Sequence, residues 1–135
     1  MKVLIVDDHE SVRAGVRTVL ESQPEIEICG EASNGEECLH KVLQLRPDVV
    51  ILDLTMPFLD GFSTARGIKR LSPSVEIVLL SMHEGPNVME MAKSAGASAF
   101  VGKTQPLSVL VRAIGAVAHK QVFFPHLSTD ETILQ

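Results

Sequence analysis

An open, mostly parallel α/β sheet, doubly wound with helices on both faces, is the fold this sequence predicts, and three observations predict it. Val3-Leu4-Ile5-Val6 and Val49-Val50-Ile51-Leu52 are unbroken apolar runs rich in β-branched residues, each ending at aspartate. Such runs are the pattern of interior parallel strands covered on both faces. Stretches with helical apolar spacing separate the strand-like runs. The two patterns alternate five times along the chain, which selects a parallel sheet with right-handed crossovers.

The elements follow in order. After the first run, Val12, Val16, Val19 and Leu20 share one helical face with Gly15. Ile26-Glu27-Ile28-Cys29 alternates, as a strand at a sheet edge does. Ser33 and Glu36 match a capping box for a second helix, whose apolar face is Leu39, Val42 and Leu43 and whose end falls near Leu45, before Pro47. A third helix is expected from about Gly61 to Leu71, closed by Ser72-Pro73. Val75 to Leu80 is another strand, interrupted by Glu76. A fourth helix runs from Pro86 to Gly96, where glycine suits a left-handed cap. Ala99-Phe100-Val101 is a short edge strand. Pro106 opens a fifth helix with Leu107, Leu110, Ile114 and Val117 on its apolar face.

Composition narrows the function classes. The chain has 135 residues, 45% hydrophobic and 21% charged, within the usual size of one domain. Four apolar residues at the start, Val3 to Val6, are too few for a signal peptide or membrane span. Cys29 and Cys38 read as small buried hydrophobes in a reducing cytoplasm, and no further paired ligands complete a zinc site. A net charge of -5 with scattered basic residues argues against nucleic-acid binding by this chain itself. Met82, Met89 and Met91 read as packing residues, and His9 and His83 as surface residues.

In an open parallel sheet, ligands bind at the carboxyl ends of the strands. Asp7 and Asp8 follow the first strand, Asp53 ends the third, Ser81 follows the fourth and Lys103 the fifth. All should meet on one edge of the sheet. Asp7-Asp8-His9-Glu10 repels phosphate, where a nucleotide site would place glycines or hydroxyls. Carboxylates attract a hard cation instead. Mg²⁺ binds few carboxylates and completes its shell with water and phosphate oxygens. Asp8 and Asp53 are the candidate direct ligands, with Asp7 holding a coordinated water and the Thr55 backbone carbonyl contributing. Asp53 can then act as a carboxylate nucleophile toward a phosphoryl group. Lys103 and Ser81 supply the ammonium and hydroxyl that phosphoryl transfer uses.

Asp7-Asp8, the string Asp53-Leu54-Thr55-Met56-Pro57-Phe58-Leu59-Asp60-Gly61, Ser81, and Lys103 followed by Pro106 resemble together the receiver domain of two-component response regulators, from roughly Lys2 to Lys120. The resemblance implies a flavodoxin-like fold with strand order 2-1-3-4-5. It implies a phosphoacceptor at Asp53, a metal site at Asp7, Asp8 and Asp53, a switch hydroxyl at Ser81 and a phosphate-pairing Lys103. Phe100 takes the place of the aromatic that changes rotamer when the hydroxyl moves. A sensor histidine kinase is the implied donor, and a homodimer an implied assembly. The implied activity is that of a switch assisting its own phosphorylation and dephosphorylation, not of an enzyme acting on other substrates. Asp7-Asp8-His9 and Gly30-Glu31-Ala32-Ser33-Asn34-Gly35-Glu36 look most like receivers joined to LuxR-type helix-turn-helix output domains.

Other readings compete. A haloacid-dehalogenase-type enzyme also uses a strand-end aspartate and Mg²⁺, but such enzymes carry Asp-x-Asp, whereas Asp53 is followed by Leu54 and Thr55. A pure interaction module would keep the receiver fold without taking phosphate, against which Asp53, Lys103 and both early acids speak, and a stand-alone receiver would act by protein–protein interaction. The stretch from Gln121 to Gln135 begins with exposed-looking aromatics and turns polar. It is expected to leave the core as the start of a linker to an output domain absent from this chain, through which DNA would be reached.

Overall fold

The apolar runs become strands and the amphipathic stretches become helices in the computed structural model, which describes residues 1–54, 60–83 and 85–124. In chain order these are β1 (Lys2–Val6), α1 (Glu10–Glu21), β2 (Glu27–Ala32), α2 (Gly35–Leu45), β3 (Val49–Asp53), α3 (Gly61–Leu71), β4 (Glu76–Ser81), α4 (Pro86–Ser94), β5 (Ala99–Gly102) and α5 (Leu107–Ala118). The strands form one parallel sheet in the order β2-β1-β3-β4-β5. The predicted fold, with β2 and β5 outermost, is thus observed.

Alternation along each strand divides the core in two. Leu4, Val6, Val50, Leu52, Ile77 and Leu79 face Cys38 and Val42 of α2, Ala65 and Ile68 of α3, and Met89 and Ala92 of α4. Val3, Ile5, Val49, Ile51, Val78 and Leu80 face Val16 and Leu20 of α1 and Leu110, Ala113, Ile114 and Val117 of α5. Each buried aliphatic side chain contributes about 1.5–3 kcal/mol by leaving water, so Ile51→Ala in the middle of β3 would cost about 2–5 kcal/mol. Because β1 and β3 are covered on both faces, their carboxyl ends are held in fixed relation.

The helix ends follow local chemistry, with one correction. Asn34, not Ser33, caps α2 by accepting from the Glu37 N–H at 2.8 Å, and the Glu37 carboxylate reaches back to the Ser33 N–H at 2.6 Å. The N-cap lies one residue later than expected, because the Asn34 side-chain oxygen takes the Glu37 N–H while Glu37 in turn holds both the N–H and the hydroxyl of Ser33. Asp60 caps α3 through the Ser63 N–H at 2.8 Å. Gly96 adopts φ 97° after α4, as a left-handed cap requires. Four apolar assignments also need correction. Leu43, Leu107 and Met91 are exposed on their helices, and Met82 is exposed in the loop after β4.

Another correction concerns the chain after α5. Phe123 and Phe124 do not leave the core. Phe123 runs parallel to β5, donating to Ser98 O at 2.9 Å and accepting from the Phe100 N–H at 2.9 Å. Phe124 is buried in the same cluster as Phe100, while Val122 points outward. Lys93 of α4 lies over the Phe124 ring and Arg112 of α5 over the Phe123 ring. The two aromatics grip β5 from both faces, which spares its edge unpaired backbone groups. The remainder of the expected linker, from Pro125 onward, lies outside the described residues. No helix among the described residues is long and apolar enough to cross a membrane.

Candidate functional site

Parallel pairing puts the polar strand ends on one edge. Asp53 ends β3 opposite Leu80, and Ser81 ends β4 opposite Gly102, one residue before Lys103. Backbone bonds stitch this edge together: Leu54 N to Leu80 O at 3.0 Å, Lys103 N to Ser81 O at 2.7 Å and Asp7 N to Ala32 O at 3.1 Å. Gly61 belongs to the same frame. A Cβ there would stand 2.5 Å from the Leu54 Cα and 2.8 Å from the Asp53 carbonyl oxygen, so only glycine lets α3 start this close to the end of β3.

Charges are concentrated here and partly compensated. Asp53 is fully buried at 0% exposure, and Asp7 at 1%. The Lys103 ammonium sits between them, 2.9 Å from Asp53 Oδ1 and 3.0 Å from Asp7 Oδ2. Burial by itself pushes the Lys103 pKa down, but its bonds to Asp53 and Asp7 outweigh that and hold it above the ordinary lysine value. Asp8 is half-buried. Asp7, Asp8 and His9 bring ligand atoms within 4.8 Å of one another, with His9 Nδ1 3.0 Å from Asp8 Oδ1 and 3.3 Å from Asp7 Oδ1.

Residues of this set fit a divalent cation. Asp7 Oδ2 and Asp8 Oδ1 are buried oxygens without a well-directed hydrogen-bond donor, though the Lys103 ammonium stands 3.0 Å from the first and the His9 ring nitrogen 3.0 Å from the second. Buried carboxylate oxygens lacking a directed donor are costly, and a hard cation with its waters would satisfy them. Of the expected ligands, Asp7, Asp8 and Asp53 are brought to one edge, Asp53 being joined to Asp7 through Lys103. Thr55 lies outside the described residues, as do Met56 to Leu59 of the same string.

Ser81 is at the edge but turned toward its own loop. Its hydroxyl donates to His83 O at 2.8 Å and accepts from the His83 N–H at 2.9 Å. Phe100 is buried at 2% exposure in the core on the α4 side.

Sequence reasoning missed part of the surroundings. Arg13 of α1 donates from Nη1 to the Asp7 carbonyl oxygen at 2.6 Å and from Nε to Glu31 Oε1 at 2.9 Å. Arg17 also grips Glu31, through Nε at 2.7 Å. Arg13 and Arg17 share a helix face by their spacing of four, but nothing in that spacing names Glu31 as their partner. His9, read as a surface residue, is exposed yet turns its ring nitrogen toward both acids.

Comparison with known proteins agrees with this geometry. The model of the response regulator receiver domain matches residues 3–115. The chain is 32% identical over 124 residues to the response regulator protein VraR of Staphylococcus saprophyticus, covering 92% of this chain and 59% of that protein. It is 30% identical over 118 residues to the transcriptional regulatory protein DegU of Brevibacillus brevis, covering 87% of this chain and 50% of that one. The chain therefore spans between half and three-fifths of the length of these curated relatives. Among solved structures, a LuxR-family two-component response regulator from Aurantimonas sp. SI85-9A1 superposes with a TM-score of 0.91 at 30% identity, covering 99% of this chain and 98% of that one. The isolated receiver domain of RcsB from Salmonella enterica serovar Typhimurium, with the phosphomimetic BeF3-, gives a TM-score of 0.86 at 30% identity, covering 93% of each chain. With its acids, serine and lysine gathered at the carboxyl edge of a β2-β1-β3-β4-β5 sheet, this chain belongs to the family of response regulator receiver domains.

Proposed function

We propose that this receiver domain accepts a phosphoryl group on Asp53 from the phosphohistidine of a sensor histidine kinase, in a Mg²⁺-dependent reaction, and switches conformation to control a DNA-binding output. The observation that carries the reading is the buried Asp53 carboxylate held 2.9 Å from the Lys103 ammonium, which itself contacts Asp7. Burial of a nucleophile among fixed donors favours a transfer that depends mainly on positioning and charge stabilisation.

In the proposed step an Asp53 oxygen attacks phosphorus, an O–P bond forms, and the P–N bond to the donor imidazole breaks. The electron pair stays on the imidazole nitrogen, which takes a proton from solvent. A Mg²⁺ ion held by Asp7, Asp8 and Asp53, with the Thr55 carbonyl, would supply charge neutralisation for the incoming phosphoryl oxygens. Lys103 pairs with one of those oxygens while keeping its contact to Asp7. Ser81 exchanges the backbone of His83 for a charge-assisted bond to phosphate. Phe100 starts from a buried position, so its share in the switch is a repacking beside Phe124 rather than an entry from the surface.

The relatives support the wider reading. They include VraR, DegU and LuxR-family regulators, and one RcsB structure shows dimers on DNA. The net charge of -5 favours DNA contact through another part of such a regulator, and a homodimer is the proposed assembly. A cytoplasmic location goes with a histidine kinase as donor. The test is intact mass after incubation with acetyl phosphate and Mg²⁺. Wild type should gain one phosphoryl group and Asp53→Asn none, whereas equal labelling of the variant would move the acceptor elsewhere.

A further inference from the structure

We propose that Arg13 is a positioning residue for the acid pair, setting the Asp7–Asp8 peptide from outside the cleft while Glu31 at the end of β2 sets Arg13. The inference rests on the metal-site reading above, and its argument is geometric. A guanidinium is a planar fork whose donors keep fixed relative directions. Arg13 uses one arm on Glu31 Oε1 at 2.9 Å and another on the Asp7 carbonyl oxygen at 2.6 Å. Fixing Glu31 therefore fixes where the second arm presents itself, and with it the plane of the peptide from which the Asp8 side chain departs.

Glu31 is itself well anchored. Its second oxygen takes Arg17 Nε at 2.7 Å and Nη2 at 2.5 Å, and its backbone carbonyl accepts from the Lys41 ammonium of α2. The neighbouring Ala32 carbonyl accepts the Asp7 N–H at 3.1 Å. The Asp7 backbone is thus held at its N–H directly from the end of β2 and at its carbonyl through the Arg13 that Glu31 sets. The Arg13 side chain is 16% exposed against 36% for Arg17, so its charge is the less screened of the two. An ordinary surface ion pair on α1 would need only Glu31. The second arm, aimed at a backbone carbonyl between two candidate ligands, is the contact that such a pair does not explain.

Groups that orient metal ligands without touching the metal typically change affinity by about 10–100-fold when removed. The test measures Mg²⁺ binding calorimetrically, well below the melting temperature, together with amide hydrogen exchange at residues 7–9 without metal. Arg13→Ala should weaken Mg²⁺ binding about tenfold and speed exchange at His9. Arg13→Lys should recover part of both, since an ammonium can reach either acceptor but lacks the fork. Arg17→Ala, which leaves the Asp7 contact in place, should change affinity by less than about threefold, a fraction of the direct effect. A lowered melting temperature for Arg13→Ala with unchanged Mg²⁺ affinity and unchanged exchange would overturn the proposal. Failure of wild type to bind Mg²⁺ would instead count against the metal site, while the metal-free exchange would still decide whether Arg13 sets the loop.

Discussion

On the β1 side of the cleft, Asp7 is held from three elements, by Arg13 of α1 at its carbonyl, Ala32 of β2 at its N–H and Lys103 after β5 at its carboxylate, beside a local bond from the His9 N–H at 2.9 Å. On the β4 side, the Ser81 hydroxyl makes both of its bonds to the backbone of His83, two residues away. Bonds reaching across the fold restrict the β1–α1 loop relative to the whole sheet. Those within one loop can be exchanged without moving any helix. On the proposed reading, the first side is the frame that holds cation and acceptor, and the second is the part that moves.

Lys103 joins the two sides, and its removal should be the largest perturbation. Lys103→Ala leaves Asp7 and Asp53 buried without their ammonium, a loss of about 3 kcal/mol for a broken buried pair. Urea unfolding without metal would measure it, and millimolar Mg²⁺ should restore part of it. A loss below about 0.5 kcal/mol, typical of surface substitutions, would mean that the two sides are not tied through this residue.

Asp8→Asn tests the frame in the opposite direction. Removing one of three close carboxylates should stabilise the metal-free protein by about 1 kcal/mol, seen as a melting temperature raised by several degrees. Mg²⁺ should raise the wild-type melting temperature by binding the folded site, and the variant should respond less. No response of wild type to millimolar Mg²⁺ would contradict the frame.

Ser81→Ala should disturb stability less, by about 1 kcal/mol or below, because it removes a short-range pair of bonds at a partly open loop. Its effect should lie in the switch. Amide shifts induced by a phosphate mimic should spread from β4 toward α4 and β5 in wild type and shrink to the immediate pocket in the variant. Equal spreading in both would place the moving part elsewhere.

The smallest effect is a pH dependence at Glu31. Burial pushes its carboxyl up, but hydrogen bonds from Arg17 and Arg13 outweigh that and hold it below its ordinary value of 4.5. A depressed folded pKa means stability that is present above 4.5 and lost as pH falls through the lower folded value. Wild type should therefore lose melting temperature on acidification below that point more steeply than Glu31→Gln. Parallel curves would show that the Arg13–Glu31–Arg17 cluster is a solvated surface pair.

The strands, the helices and the convergence of Asp7, Asp8, Asp53, Ser81 and Lys103 on one edge were legible in the sequence. Apolar runs, helical periods and turn residues are local properties, and a parallel sheet converts strand ends into neighbours wherever its strands lie. Partners across the fold were not legible. Arg13 meets Glu31 because β2 pairs beside β1 and turns its carboxylate toward α1, a consequence of register that no spacing within α1 encodes. Phe124 looked exposed because aromatics beside a proline read alike in a linker and in a closing strand. Only the open edge of β5 decided the matter, offering Phe123 backbone partners at Ser98 and Phe100 and thereby turning Phe124 into the core.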